Sequence, residues 1–120
     1  MKGQVQGHQA LMKVGFHLED GRTLDIEFVV DTGFVGYLTL PQRAIVMLDL
    51  PFLRRTPANL ADGSTIHVSV YAATIVWEGQ VKEAEVLSTG QRPLMGTLLL
   101  NGHHLSVHFV NGGEVVAESL

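Results

Sequence analysis

Apolar and polar residues alternate with a period of two through most of the chain, and helical spacing is confined to two short stretches. Residues 11–18 and 23–30 read as the arms of a hairpin about Glu19, Asp20, Gly21 and Arg22, with Gly21 supplying the positive φ of the turn. In the second arm Leu24, Ile26, Phe28 and Val30 share one face, which puts Asp25 and Glu27 on the solvent side. Residues 36–40 read as a short strand, and Pro41 opens a helix to about Leu48, closed by Asp49, Leu50 and Pro51. Two longer arms, 52–60 and 64–76, flank an Asp-Gly hairpin signal at Asp62 and Gly63. Residues 77–80 turn into a strand over 81–87, and a loop over 88–93 leads to Leu94, Met95 and Gly96 and a helical stretch over 97–101. Strands over 104–110 and 114–117, joined at Asn111, Gly112 and Gly113, end the pattern. The polar, Gly/Gln-rich residues 1–9 read as a flexible arm ahead of a single domain over 10–120.

Composition narrows the function classes. The chain has 120 residues, of which 46% are hydrophobic and 17% charged, enough for one domain with a real core and too apolar for disorder. A formal net charge of −4 without a basic stripe argues against a nucleic-acid partner. The absence of cysteine rules out disulfides, thiolate catalysis and cysteine-based zinc sites. The first residues lack the apolar core of a signal peptide and no apolar run approaches a membrane span, so a soluble, cytoplasmic protein without a membrane partner is expected.

His104 and His108 read as sharing a strand face, with His103 beside them, but no carboxylate stands at a spacing that completes a tetrahedral set. They are taken as strand histidines, and neither metal nor other cofactor is expected. Tyr37, Tyr71 and Trp77 read as packing residues, and Arg54-Arg55 as a solvated basic step.

The tripeptide Asp31-Thr32-Gly33 carries the most chemistry. It follows directly on the alternating strand ending at Val30, so a carboxyl is delivered to a tight turn at the edge of the core, a setting suited to acid/base work. Its structural alternative is an Asx-turn, the carboxylate capping a nearby amide. Each half of the chain also has a hairpin, then an apolar strand ending in a glycine turn, then a short helix, with Asp31-Thr32-Gly33 and Leu94-Met95-Gly96 in equivalent places.

The order of Val29-Val30-Asp31-Thr32-Gly33-Phe34-Val35-Gly36, the Asp62-Gly63 hairpin and Pro93-Leu94-Met95-Gly96 resembles the retropepsin-like (clan AA) aspartic proteases, in particular their small prokaryotic single-domain members. The similarity runs from about Met12 to Ala117. It implies a mainly β, single-lobe acid protease fold: a closed, barrel-like sheet with short helices, active as a homodimer. One chain holds one Asp-Thr-Gly, hence half of a catalytic dyad, and a two-fold partner would set its own Asp31 against the first. Two adjacent carboxyls resist double ionisation and share a proton, so one activates water while the other protonates the leaving nitrogen of a peptide. By the same resemblance Thr32 braces the turns across the axis, Gly33 lets the backbone approach the substrate, and Phe34 borders a substrate pocket. Ala61, Asp62, Gly63 and Ser64 form a flap over a peptide or protein substrate, and Leu94, Met95 and Gly96 are the structural counterpart of the catalytic turn. Three positions depart from the family pattern: Phe34 replaces the usual Ala or Ser, Thr97 replaces the usual Arg of the retroviral enzymes, and the flap tip is poorer in glycine. The alternative is a non-catalytic module that keeps fold and dimer and binds a peptide strand by β-addition.

Overall fold

Ten strands and two short helices succeed one another in the order β1 (Lys2–Gln6), β2 (Gln9–His17), β3 (Thr23–Val30), β4 (Leu38–Leu40), α1 (Gln42–Leu48), β5 (Phe52–Asn59), β6 (Thr65–Trp77), β7 (Gln80–Ser88), β8 (Leu94–Met95), α2 (Thr97–Leu100), β9 (His103–Val107) and β10 (Glu114–Ser119). This computed structural model describes all residues from Met1 to Leu120 as one mainly β domain. The strands belong to one sheet in the order β5-β6-β7-β4-β8-β3-β2-β1-β10-β9, and an added β6–β2 pairing returns the sheet on itself through six strands. Most neighbours are antiparallel; β3–β8 and β4–β7 are parallel.

The period-two pattern explains where the core lies. Met12, Val14 and Phe16 of β2, Phe28 of β3, Leu38 and Leu40 of β4, Ile75 of β6, Val86 of β7 and Met95 of β8 all point inward and are buried. Phe16 and Phe28 stack with centroids 6.0 Å apart. Each such side chain contributes about 1.5–3 kcal/mol by leaving water. Asp25 and Glu27, on the opposite face of β3, are exposed.

Helix α1 begins just after Pro41, whose extended ψ of 147° keeps it outside the helix while its carbonyl accepts the Ala44 and Ile45 N–H groups, and Ile45 docks into the core. It stops at Asp49, which adopts a left-handed φ of 53° and donates its N–H to the Val46 carbonyl.

Two expectations are corrected. Residues 1–9 are not a free arm: Lys2–Gln6 form β1, paired with β2 on one side and β10 on the other. Only Val5 of β1 is buried, so the strand is held by its ladder bonds and leaves almost no apolar signal. Gly3 is required there, because a Cβ would overlap the Leu11 carbonyl and reach 3.0 Å from Met12 Cγ. The last hairpin also differs. Strand β9 ends at Val107, and His108 to Gly113 fold into a loop pinned by Gly112 N–H to Val5 O at 2.8 Å and Gly113 N–H to Val110 O at 2.7 Å. Thus His108 does not share a strand face with His104, and Phe109 and Val110 face solvent. No helix is long and apolar enough to cross a membrane.

Candidate active site

Strands β3 and β8 lie side by side and parallel, with Val29 opposite Leu94 and Val30 opposite Met95. Two glycine turns therefore leave the sheet together. The Asp31 amide donates to Met95 O at 2.9 Å, the Gly96 amide to Tyr37 O at 2.9 Å, the Thr97 amide to Phe34 O at 2.9 Å, and the Leu98 amide to Gly36 O at 3.0 Å. On the other side of β8, the Leu94 amide donates to the hydroxyl of buried Thr39 at 3.1 Å. The quasi-repeat seen along the sequence thus meets in space at Asp31-Thr32-Gly33 and Leu94-Met95-Gly96.

Space makes Gly96 necessary at this lock. Its backbone is extended, but a Cβ would overlap the Gly36 carbonyl oxygen and stand 2.6 Å from Phe34 Cδ2 and 2.7 Å from Phe34 O. Phe34 lays its ring over Gly36 and Gly96, where any side chain would collide with it. Its bulk fills the seam between the two turns. Thr97, standing where the resemblance leads one to expect an arginine, ties the seam with both its N–H and its Oγ1–H, which donate to Phe34 O at 2.9 and 3.3 Å.

Asp31 is half-buried at the head of its turn. Its Oδ1 accepts the Gly33 N–H at 2.9 Å, the bond of an Asx-turn, while its Oδ2 has no partner within the chain. Thr32 is exposed, with a hydroxyl that bonds to nothing in the chain. No family model, curated protein or solved structure matches this chain. Its own residues therefore carry any assignment.

Ala61, Asp62, Gly63 and Ser64 form the tip of the β5–β6 hairpin and are all exposed. Asp62 Oδ1 accepts both the Ser64 N–H at 2.9 Å and its hydroxyl at 2.5 Å, and Gly63 takes a φ of +85°. The Ser64 hydroxyl, then its amide, hold the Asp62 carboxyl below the usual range. Strand β5 is exposed along nearly its whole length, as an arm standing off the core would be.

Between this arm and the Asp31 turn runs a groove of about 170 Å³ that was not legible in the sequence. Val35, Gly36 and Tyr37 line it from the turn, Leu98 from α2, Arg54 and Thr56 from β5, Val70 from β6, and Glu85 and Leu87 from β7. At its wall Arg54 donates to both Glu85 oxygens, from Nη1 at 2.9 Å and Nη2 at 2.7 Å. The bonding holds the Glu85 carboxyl low and the Arg54 guanidinium high. A wider hollow of about 360 Å³, lined by Val5, Gly7, His8, Phe109, Val110 and Asn111, holds no carboxylate and so offers no acid to pair with a base.

His103 and His104 both lie in β9, the first satisfied within the chain and the second exposed. His103 rather than His104 is enclosed: its ring lies edge-on to Trp77 with centroids 5.6 Å apart, Nε2 is 2.6 Å from Glu78 Oε1, and Nδ1 is 3.0 Å from Asn101 O. Ser119 donates its hydroxyl to the other Glu78 oxygen. The Ser119 hydroxyl, then His103, hold the Glu78 carboxyl below its ordinary value.

Proposed function

We propose that this chain is an aspartic endopeptidase of retropepsin type, built from a closed, barrel-like β domain and active as a homodimer in which two Asp31 side chains form the dyad. The observation that carries the reading is the pair of locked turns, Asp31-Thr32-Gly33 against Leu94-Met95-Gly96, at the parallel ends of β3 and β8. The lock fixes the Asp31 backbone, which a catalytic carboxyl needs if it is to meet its twin at a set distance. The free Oδ2 leaves one oxygen to share a proton with the partner's carboxyl, and the exposed Thr32 hydroxyl is free to bond across the axis.

In this mechanism the ionised member of the pair takes a proton from water as the water attacks the peptide carbonyl. The protonated member first steadies the carbonyl oxygen, and a carboxyl then returns a proton to the departing nitrogen. The Asp62–Gly63 hairpin covers the bound strand and limits competing water. No cofactor takes part, and the cytoplasm is the proposed site of action.

A second reading draws on the Asx-turn. Commitment of Oδ1 to Gly33 is also what a purely structural turn aspartate does, and the chain would then be a non-catalytic dimerisation or peptide-binding module. Incubation with a diverse peptide library, read by mass spectrometry, separates the two. Cleavage by the native chain that Asp31→Asn abolishes supports the enzyme; no cleavage between acid and neutral pH, or cleavage that survives the substitution, sinks it.

A further inference from the structure

We propose that the Arg54–Glu85 pair sets the charge selectivity of the groove beside the Asp31 turn, so that the groove takes one neutral, apolar side chain of an extended peptide and turns away side chains of either charge. What becomes of the peptide rests on the peptidase reading; what the groove accepts does not.

Register builds the site. Arg54 lies opposite Val70, and Val70 opposite Leu87, so one row crosses β5, β6 and β7 on a single face. Glu85, two residues before Leu87, shares that face, and the guanidinium reaches it by spanning β6. Val35, Tyr37 and Leu98 close the opposite side. Val35 is 77% exposed and Leu98 46% exposed, apolar groups held at the mouth with nothing over them. The half-open groove of about 170 Å³ has room for one large side chain and falls well short of the ~300 Å³ at which small-molecule pockets begin.

The wall is charged yet self-satisfied. Each Glu85 oxygen already has an Arg54 donor, and the fork geometry fits one carboxylate at a time. A carboxylate on the incoming residue must displace Glu85 and leave that charge beside it. An ammonium must draw Glu85 away and strand Arg54. A neutral side chain leaves the pair intact and covers Val35, Leu87 and Leu98, so apolar burial favours it while charge exchange disfavours both alternatives.

The test uses blocked five-residue alanine peptides whose central residue is leucine, glutamate or lysine, titrated into the Asp31→Asn chain so that no cleavage intervenes. The methyl signals of Val35, Val70, Leu87 and Leu98 report binding. The leucine peptide should bind about two- to fivefold tighter than either charged one, a range set by the half-exposed pair. Adding Glu85→Gln should shift the preference to glutamate, and adding Arg54→Gln should shift it to lysine. The exchanged pair Arg54→Glu with Glu85→Arg should restore leucine, which a fold damaged by either single change would not do. Equal affinities across all variants, or methyls that no peptide moves, overturn the proposal. So do methyls that still respond to protein concentration alone once sedimentation shows the Asp31-turn dimer complete, since the occupant is then a further copy. Methyl shifts with the leucine peptide, together with no cleavage by the native chain, support the groove and sink the peptidase.

Discussion

Replacing Gly96 by alanine probes the lock between the two turns directly. The added Cβ meets the Gly36 carbonyl oxygen and the Phe34 carbonyl oxygen, both backbone atoms of a segment held by four main-chain bonds, so it cannot be absorbed by turning a side chain. Overpacking of this kind costs about 1–3 kcal/mol. Prising the turns apart weakens at least two of those four bonds at about 1 kcal/mol each, giving about 3–5 kcal/mol against a total stability of ~5–15 kcal/mol. Urea unfolding at fixed protein concentration measures the loss. Gly15→Ala is the control, because its Cβ would meet only the Asp25 side-chain oxygen at 3.3 Å and Val76 atoms beyond 3.6 Å, and it should stay within about 1 kcal/mol of the native chain. Adding Phe34→Ala should not rescue Gly96→Ala, since the carbonyl overlaps remain. A Gly96→Ala chain within about 0.5 kcal/mol of native, or one rescued by Phe34→Ala, would show that the turns are not locked by backbone contact.

Thr32→Ala should weaken the proposed dimer by about 1 kcal/mol or more while leaving monomer folding unchanged, as sedimentation and unfolding would show; an unaltered dissociation constant removes the cross-axis bond. Glu78→Gln should lower the melting temperature at neutral pH and lose that effect in acid. Its carboxyl is held below the ordinary value near 4.5, so the stabilisation is present above that value and disappears as pH falls through the lower folded one. A deficit independent of pH contradicts the Ser119 and His103 bonds. Trp77→Phe should destabilise by less than about 1 kcal/mol in thermal or urea unfolding, because the buried Trp77 Nε1–H has no acceptor and removing an orphan donor offsets lost packing; a loss above ~3 kcal/mol contradicts this.

Sequence revealed the parts whose signal is apolar periodicity. The β2–β3 hairpin, α1 between Pro41 and Asp49, and the β5–β6 hairpin about Asp62 and Gly63 follow from alternation and turn chemistry. Strand β1 escaped because backbone pairing with two neighbours holds it while only Val5 is buried. The end of β9 was misjudged for the opposite reason: Phe109 and Val110 extend an apolar run, yet a tight backbone-bonded loop presents them to water. At the candidate site, Asp31 and Gly96 were visible as glycine turns after apolar strands. The seat of Phe34 and the Arg54–Glu85 pair depend on which strands adjoin, and partners 31 residues apart carry no local mark.

The central claim is that catalysis needs Asp31 from two chains, and subunit mixing tests it most directly. Native and Asp31→Asn chains are combined at fixed total concentration, left to exchange, and assayed on one peptide substrate. If each site takes one Asp31 from each of two chains, activity follows the square of the native fraction, so an equal mixture retains about one quarter of the native rate. A linear fall, to about one half in the equal mixture, would place a complete site within a single chain and contradict the dyad.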